Sequence, residues 1–547
     1  MNNSEIADLF KLHSQLMDIN GANSFRSQSY SVASFRIDKM QIDLTKLSLE
    51  ELEKTQYIGK GLAGKIREMA DTGSFKDLDE LLATTPKGVV DMLQVKGIGP
   101  KKIRVLWQEL AITSVGELYY ACKENRLTDL KGFGVKTQDK IIEAIDFMMA
   151  NSNRFHYARV EEIAINILDD LNDAEGINQA SMTGQIRRKA EIIDSLDFVI
   201  DAYDYSPIIE KWDLEEEDDK LIGTINNVPV NIYIASGSDY AKVLFTTTAT
   251  EEHITKLDIS IPSSPADEND IYKENGLPYI EPEMREGVAE IAYAKAGTMP
   301  TLIEYTDLKG ILHNHTTYSD GANTLKEMAE FCKKDGYEYL GVCDHSRTAV
   351  YANGLDIDRV QQQQQEIDKL NAELGPFKIF KGIESDILGD GSLDYPDEVL
   401  AGFDFVVASV HSNLTMNEEK ANERVIKAIE NPYTTILGHP TGRLLLMRKG
   451  YPINHKKMID ACAANNVVIE INANPYRLDL DWRWIDYALN KNVLLSINPD
   501  AHSTKGYSDM YYGTCVARKG GLTKEMTLNA LTAEQIGTYF ADRKSKI

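Results

Sequence analysis

The sequence has few cysteines and no long apolar segment, and both absences restrict what the protein can be. Its 547 residues include 5 cysteines without a Cys-x-x-Cys pair, which excludes a disulfide-built scaffold and fits a reducing cytoplasm. No apolar run approaches the ~18 residues that span a bilayer, and the first residues lack a basic and apolar signal peptide. We therefore predict a cytoplasmic protein that does not associate with membranes.

Basic residues are also scarce, with 59 Lys and Arg against 85 Asp and Glu and a net charge of −26. The imbalance is uneven, because residues 1–150 hold 20 basic and 21 acidic side chains. Within residues 86–140 the count is 10 basic to 6 acidic. An acidic body with a locally basic front can still bind phosphates through that front, so the net charge does not exclude nucleic acid.

The length predicts several domains, since a domain typically takes ~100–200 residues. The hydrophobic share of 43% is that of ordinary globular proteins, so wholesale disorder is excluded. Changes in residue pattern predict four regions. These are two helical regions at 1–85 and 86–150, a mixed region at 151–300, and a regularly alternating region at 301–547.

Three Gly-rich turns separate short helices in the first 150 residues. They are Ile58-Gly59-Lys60-Gly61, Val95-Lys96-Gly97-Ile98-Gly99 and Leu130-Lys131-Gly132-Phe133-Gly134. Such a turn can present the backbone N–H groups of the second helix to an anion, and nearby lysines suit a nucleic-acid phosphate. The alternative is a helical hairpin whose glycines only make a tight turn. We predict that nucleic acid contacts Gly97, Gly99, Lys101, Lys102, Gly132, Gly134 and Lys136.

The region from 151 to 300 changes character. β-branched and aromatic runs predict strands at Leu196–Ile200, Val228–Ile234 and Lys242–Thr247. The acidic cluster from Glu215 to Asp219 is expected to be a solvated loop.

From about residue 306, seven short apolar runs alternate with helical segments. This order predicts a parallel α/β sheet, plausibly closed into a barrel, whose active site is built by the loops that follow the strands. The runs are 310–312, 339–343, 379–383, 405–410, 434–437, 467–471 and 493–497.

Metal-ligand side chains follow six of these runs, including six of the ten histidines of the chain. A set of nitrogen and oxygen donors without thiolate suits Zn, Mn or Fe, and nine donors exceed the needs of one ion, so we predict two or three divalent ions. Glu384 is expected to bridge two ions. The predicted ligands are His313, His315, Asp320, His345, Glu384, His411, His439, Asp500 and His502.

Two arginines lie shortly after these ligands and are candidate phosphate clamps. Arg443 is four residues past His439, and Arg347 is two residues past His345. Either could equally be a surface arginine. We predict catalytic roles for Glu384, His345 and Arg443.

The ligand motifs resemble those of the PHP (polymerase and histidinol phosphatase) family of metallophosphoesterases. The resemblance covers about 306–547 and rests on His313-Asn314-His315, Cys343-Asp344-His345, Gly382-Ile383-Glu384, Gly438-His439-Pro440 and Asp500-Ala501-His502. It implies a seven-stranded distorted β/α barrel that holds up to three divalent ions and hydrolyses phosphoesters.

The front half resembles bacterial family X DNA polymerases that are fused to such a domain. The resemblance rests on Asn23 to Tyr30, the Gly-rich hairpins, Gly184 to Arg188, and Gly276 to Glu286. It implies a helical N-terminal domain at 1–85, a fingers-like helix-hairpin-helix region at 86–150, an α+β palm and thumb at 151–300, and a bacterial cytoplasmic enzyme.

The palm departs from the family pattern, in which three carboxylates hold two metal ions. The first position is Ser195, the second is Asp197, and the third is Asn231. Gln185 replaces the hydroxyl that would contact the incoming triphosphate. We predict a degenerate polymerase site, unless Asp194 or Asp201 replaces the missing acids.

Four functions are compatible with the sequence to different degrees. The favoured one is a metal-dependent phosphoesterase that binds gapped or 3′-ended duplex DNA and acts as a 3′–5′ exonuclease or 3′-end processing enzyme in repair. An active gap-filling polymerase with a PHP exonuclease domain is opposed by the missing carboxylates. A phosphomonoesterase for a small molecule leaves the DNA-type front without a purpose. A binding module without catalysis would predict substituted metal ligands.

Overall fold

The computed structural model describes residues 1–123, 127, 130, 132–150, 154–414, 416–446 and 449–547. Its contacts divide the chain into two units, Met1–Ser152 and Asn153–Ile547. The finer boundaries at 85 and 300 stay predictions. No helix within the described residues is long and apolar enough to cross a membrane.

The first unit is helical. One apolar core runs through it, from Ile6 in the first helix to Ile145 in the last, and the first helix begins with a reciprocal cap between Asn2 and Glu5. Its helices are α1 (Asn3–Ile19), α2 (Ser24–Asp38), α3 (Leu49–Lys54), α4 (Lys60–Thr72), α5 (Lys76–Thr84), α6 (Lys87–Asp91), α7 (Pro100–Leu110), α8 (Val115–Lys123) and α9 (Val135–Ala150).

The second unit opens with a palm-like part. A five-stranded sheet in the order β2-β4-β7-β6-β5 packs against α10, and a short β1-β3 pair lies beside it. The elements are β1 (Phe155–His156), α10 (Tyr157–Asp173), β2 (Ile177–Thr183), α11 (Gly184–Arg187), β3 (Ile192–Ile193), β4 (Leu196–Ala202), α12 (Ser206–Trp212), β5 (Glu215–Glu217), β6 (Lys220–Ile225) and β7 (Val228–Ala235).

A smaller helical part follows the palm-like sheet, and a buried ion cluster joins the two. Arg187 of α11 and the fully buried Arg285 both bind the carboxylate of Glu268. Burial would raise the pKa of Glu268, but the two guanidinium groups outweigh this effect and lower it. The helices are α13 (Tyr240–Thr248), α14 (Glu251–Leu257), α15 (Glu268–Glu274) and α16 (Ala289–Ala296).

Two predictions for this region were wrong. The run Lys242–Thr247 forms most of helix α13, because Leu244 and Phe245 bury one helical face and this packing overrides the β-propensity of the threonines. The acidic cluster was expected to be a loop, but Glu215–Glu217 pairs with β6 as an edge strand. Its three side chains are exposed, so backbone pairing alone makes the strand.

The remaining residues form the predicted β/α barrel. Seven parallel strands lie in the order β14-β13-β12-β11-β10-β9-β8, so each strand pairs with its neighbours in sequence. The elements are β8 (Gly310–Ile311), α17 (Leu325–Lys334), β9 (Tyr339–Val342), α18 (Ile357–Leu374), β10 (Lys378–Asp386), α19 (Asp397–Leu400), β11 (Phe405–Ser409), α20 (Glu418–Ile429), β12 (Ile436–Leu437), α21 (His455–Asn465), β13 (Val468–Asn472), α22 (Ile485–Asn490), β14 (Leu495–Asn498), α23 (Met510–Lys519) and α24 (Ala533–Lys544).

The barrel is nearly closed between its first and last strands. A single parallel bridge joins Asn314 to Ala501, where the His315 N–H donates to the Ala501 carbonyl over 2.8 Å. Lower down, the buried side chain of Asn529 donates to the carbonyls of Gly310 and Ile497. These contacts hold the residues after β8 against those after β14, so the carboxyl ends of the strands surround one site.

Candidate metal centre

The predicted ligands lie at the carboxyl ends of the strands. His313 and His315 follow β8, His345 follows β9, and His411 follows β11. Glu384 differs from the expectation in one respect, because β10 continues past it to Asp386. It is therefore held by ladder hydrogen bonds on a rigid strand.

The structure brings these side chains into three overlapping groups. Within each group, ligand atoms lie within 4.8 Å of one another. His315 and His345 each belong to two groups, which makes the three groups one continuous site. The groups are His315, Asp320, His345 and His502; His313, His315 and Asp500; and His345, Glu384 and His411.

Glu384 occupies the middle of the cluster and is 1% exposed. Its Oε1 lies 3.0 Å from His439 Nε2 and 3.2 Å from His411 Nε2. Its Oε2 lies 2.9 Å from His345 Nδ1 and 3.7 Å from His315 Nε2. A carboxylate that faces histidines through both oxygens has the geometry of a bridging ligand, and through it His439 reaches the cluster.

The acids and histidines of the site shift one another's pKa values. Burial opposes a charge on His411, but Glu384 and Asp386 outweigh this and raise its pKa to about 10. Burial, with His502 and His345 as neighbours, lowers the pKa of His315 to about 3. The acids of the cluster thus raise the pKa of one of its histidines, while burial lowers that of another.

Some buried ring nitrogens of the cluster have no hydrogen-bond partner. Within the residues that the structure describes, His313 Nε2 and His315 Nδ1 make no hydrogen bond. Burying such groups unpaired is costly, and a bound cation would satisfy them. The donor set therefore fits divalent metal ions.

A second layer of acids, which the sequence analysis missed, orients these ligands. Glu470 in β13 is fully buried, and its Oε2 lies 2.7 Å from His313 Nδ1. Asp386 Oδ1 lies 2.5 Å from His411 Nδ1. Such carboxylate–histidine pairs fix the ring and its tautomer for metal binding. One signal was available for Glu470, because a lone acid in an apolar strand must have a buried partner.

The two candidate arginines each contact an acid that is not one of the predicted metal ligands. Arg443 Nη1 is 2.5 Å from Asp481, and its Nε donates to the Arg477 carbonyl. Arg347 is half exposed and lies 3.2 Å from Asp394. By contrast, Arg477 Nε is 3.8 Å from Asp500 Oδ2, beside the cluster. The clamp role of Arg443 stays a prediction, and its contacts are those of a brace for the loop after β13.

The palm-like sheet holds Asp197 beside its two substituted partners. Asn231 Nδ2 donates to Asp197 Oδ1 over 2.7 Å, and Ser195 Oγ donates to the same atom over 2.8 Å. Burial raises the pKa of Asp197, and these two donors offset only part of the increase. Among the described residues, the groups of three or more potential metal ligands all lie in the barrel.

The two alternative acids, Asp194 and Asp201, have partners other than Asp197. Asp194 accepts from Gln185 Nε2 over 2.8 Å, its N–H donates to Gln185 Oε1, and Arg154 Nε lies 3.0 Å from it. Asp201 lies four residues further along β4, beside Asn178. The degenerate polymerase site stays a prediction.

The second and third hairpins in the first unit have the expected open glycines. Gly97 and Gly132 adopt φ of +93° and +92°, and a Cβ on Gly99 or Gly134 would meet nothing within 4 Å. Gly99 caps helix α7. The four glycines are exposed, as an anion site requires, whereas the apolar residues between them, Ile98 and Phe133, are buried.

The lysines of these hairpins differ in exposure. Lys101 and Lys136 are exposed, whereas Lys102 is half-buried, with its Nζ 5.3 Å from the Phe133 ring centre. Lys131 of the third hairpin lies outside the described residues.

The first hairpin has a different register from the one its glycines indicate. Tyr57, with φ of +70°, takes the left-handed position, and Gly59 caps helix α4. Gly61 lies inside that helix. The Arg36 guanidinium lies 3.8 Å from the Tyr57 ring centre. The pair Tyr57 and Gly59 is therefore the equivalent of Gly97 and Gly99.

The fold and the site define a metal-dependent hydrolase of the PHP type, and comparison with known proteins agrees. Residues 312–474 match the PHP domain family. Residues 1–75 match a helix-hairpin-helix domain family, and residues 89–146 match a SAM-like helix-hairpin-helix tandem. These matches confirm the predicted types of the first and last regions.

Whole-chain similarity places the protein more narrowly. It is 33% identical over 571 residues to the DNA polymerase/3′-5′ exonuclease PolX of Bacillus subtilis (strain 168), covering 98% of this chain and 99% of that protein. A probable phosphatase of Thermoanaerobacter sp. (strain X514) is 26% identical over 43% of this chain and 95% of its own. The chain therefore belongs to the bacterial family X DNA polymerases that carry a PHP domain.

We expect Glu470→Gln to weaken metal binding by ~10–100-fold, the usual effect of losing an acid that orients a ligand. The amide keeps the size of the side chain but removes the charge that faces His313. Calorimetric titration of the metal-free protein with Mn²⁺ measures the change. The exposed Glu418→Gln is the control. Equal affinities for both variants would show that Glu470 does not orient His313.

Proposed function

We propose that the protein is a DNA-binding, metal-dependent phosphoesterase that acts as a 3′–5′ exonuclease or 3′-end processing enzyme in DNA repair. The observation that carries this proposal is the contrast between two sites. The barrel assembles all nine candidate ligands, whereas the palm keeps one carboxylate, Asp197, of the family's three. A chain aligned along its whole length with PolX thus retains the groups for hydrolysis and not those for synthesis.

Two or three divalent ions (Zn, Mn or Fe) are the proposed cofactors, held by the nine residues with Glu384 as the bridging ligand. Bound ions would supply Lewis acidity and an activated water for phosphoester hydrolysis. The chain itself contributes the orienting carboxylates Glu470 and Asp386. Arg477 lies beside Asp500, where its guanidinium could bind phosphate oxygens, and we assign it that role.

DNA is the proposed substrate, in the form of a gapped or 3′-ended duplex. The support comes from the two hairpins with open glycines and from the name of the Bacillus subtilis relative. Five free cysteines support a cytoplasmic location. The second candidate is hydrolysis of a small phosphomonoester, which the similarity to a probable phosphatase favours.

We expect Glu384→Ala and His345→Ala to abolish shortening of an end-labelled gapped duplex in Mn²⁺, because each removes a ligand that faces several others. Binding of the same duplex should be unchanged, since the hairpins belong to the other unit. Gel analysis of the labelled strand and a binding isotherm measure the two effects. Undiminished cleavage by both variants would reject the site. Turnover of phosphomonoesters alone would favour the second candidate.

We expect the double variant Lys101→Ala/Lys102→Ala to bind DNA with a shallower salt dependence. Each phosphate contact contributes ~0.9 to the slope of log affinity against log salt for duplex DNA, so the slope should fall by ~1.8. Fluorescence anisotropy between ~50 and ~200 mM salt measures it. Lys11→Ala/Lys76→Ala is the control, because it removes two exposed lysines of the same unit that belong to α1 and α5 and not to a Gly-rich hairpin. Identical slopes for wild type and the hairpin variant would contradict the interface.

We expect no template-dependent primer extension by the unmodified protein. Asp197 alone cannot neutralise two divalent ions, and losing two charged ligands should cost far more than the ~1.4 kcal/mol of one decade in rate. Extension assays with the nuclease-inactive Glu384→Ala background avoid degradation of the product. Ser195→Asp/Asn231→Asp in this background tests for recovery. Extension that Asp197→Ala abolishes would show that another acid completes the palm.

A further inference from the structure

The loops that follow β12 and β13 lie against the palm-like part. His156 in β1 has its Nε2 3.0 Å from the Leu445 carbonyl, and its ring lies 4.6 Å from the ring of Tyr476. The Leu445 N–H in turn donates to the Tyr476 carbonyl over 2.7 Å. The palm therefore touches both loops at the place where they touch each other.

Glu191 makes a second contact at the same place. It lies directly before β3, and its side chain is 9% exposed. Its Oε1 is 3.4 Å from Arg483 Nη1 and 4.0 Å from Arg443 Nη2. A carboxylate buried to this degree requires compensating charge, and the two arginines of the barrel supply it.

Arg443 transmits this contact to the backbone of the loop after β13. Its Nε donates to the Arg477 carbonyl over 2.9 Å, and its Nη2 donates to the Leu478 carbonyl. The side chain of Arg477 reaches to 3.8 Å from Asp500 in the cluster. A connected series of polar contacts thus runs from Glu191 through Arg443 and Arg477 to a metal ligand.

We propose that Glu191 of the palm is a positioning residue for the metal centre, acting through Arg443 to set the place of Arg477. This inference rests on the proposed function, because Arg477 is assigned there to the substrate phosphate. A palm that keeps one of the family's three metal carboxylates then has a task in hydrolysis. It supports the loops that carry a phosphate-binding side chain, and hydrolysis depends on a residue outside the barrel.

A second palm acid at the same boundary provides a matched control. Glu161 Oε1 accepts from Tyr511 of α23 over 2.7 Å and from Tyr157 over 2.9 Å. Both Glu161 and Glu191 join the palm to the barrel, but within the described residues the hydrogen-bond partner of Glu161 in the barrel lies in α23, whereas the arginine partners of Glu191 follow β12 and β13. If the palm acts only as a general support, the two acids should be equivalent.

The first experiment is a double-mutant cycle in the full-length protein. Glu191→Gln, Arg477→Ala and their combination are assayed on an end-labelled duplex and on bis(p-nitrophenyl) phosphate. We expect each single variant to lower kcat/KM about tenfold, or ~1.4 kcal/mol, with the combination no worse than Arg477→Ala alone. Affinity for Mn²⁺ should stay unchanged, and Glu161→Gln should retain wild-type rates. Multiplicative losses, or equal losses for Glu161→Gln, would overturn the proposal.

The second experiment does not depend on activity. Amide hydrogen exchange of the segment 474–483 is compared between wild type, Glu191→Gln and Glu161→Gln. Arg443 also pairs with Asp481 over 2.5 Å, so Glu191→Gln leaves it one of its two acids. We expect faster exchange only in Glu191→Gln, because Arg443 then holds the carbonyls of Arg477 and Leu478 less firmly. Unchanged exchange would overturn the proposal. Inactivity of the wild type on DNA with altered exchange in Glu191→Gln would reject the proposed substrate while leaving the positioning role supported.

Discussion

The burial of one carboxylate governs the architecture of the barrel. Glu384 is 1% exposed, and both of its oxygens face histidines from other strands. A buried charge of this kind is tolerated only with closely placed compensation. Parallel strands that pair in sequence order bring five other ligand-bearing loops around it, and Asn529 holds the first and last strands together so that this ring stays nearly closed.

The sequence revealed most of this barrel because its physical signals are local. Apolar runs at regular spacing mark buried parallel strands, and a ligand side chain directly after such a run must lie at the sheet edge. Predictions from local composition were wrong for two segments whose secondary structure depends on contacts with other parts of the chain. Lys242–Thr247 has the composition of a strand and forms a helix, and the acidic Glu215–Glu217 forms a strand without an apolar face.

The ligands could be predicted from local sequence, whereas the residues that orient them could not. His313 was visible by its position after a strand, but its partner Glu470 lies 157 positions further along the chain. Arg443 became a candidate phosphate clamp through its spacing to His439, whereas Arg477, which lies 3.8 Å from Asp500, follows a run with no predicted ligand of its own. Contacts of this type depend on the order of the strands in the sheet and on the paths of the loops, and neither can be read from residue spacing in one sequence.

The substitutions in the palm also change what that part of the chain needs in order to be stable. Three neighbouring carboxylates repel one another unless cations lie between them. Ser195 and Asn231 replace two of those charges with neutral donors, and both donate to Asp197 Oδ1. The protein itself thus gives the remaining acid two donors, which offset part of the effect of its burial. A palm built in this way keeps its sheet without ions, so it can hold Glu191 and His156 against the loops of the barrel whatever the metal content of the cell.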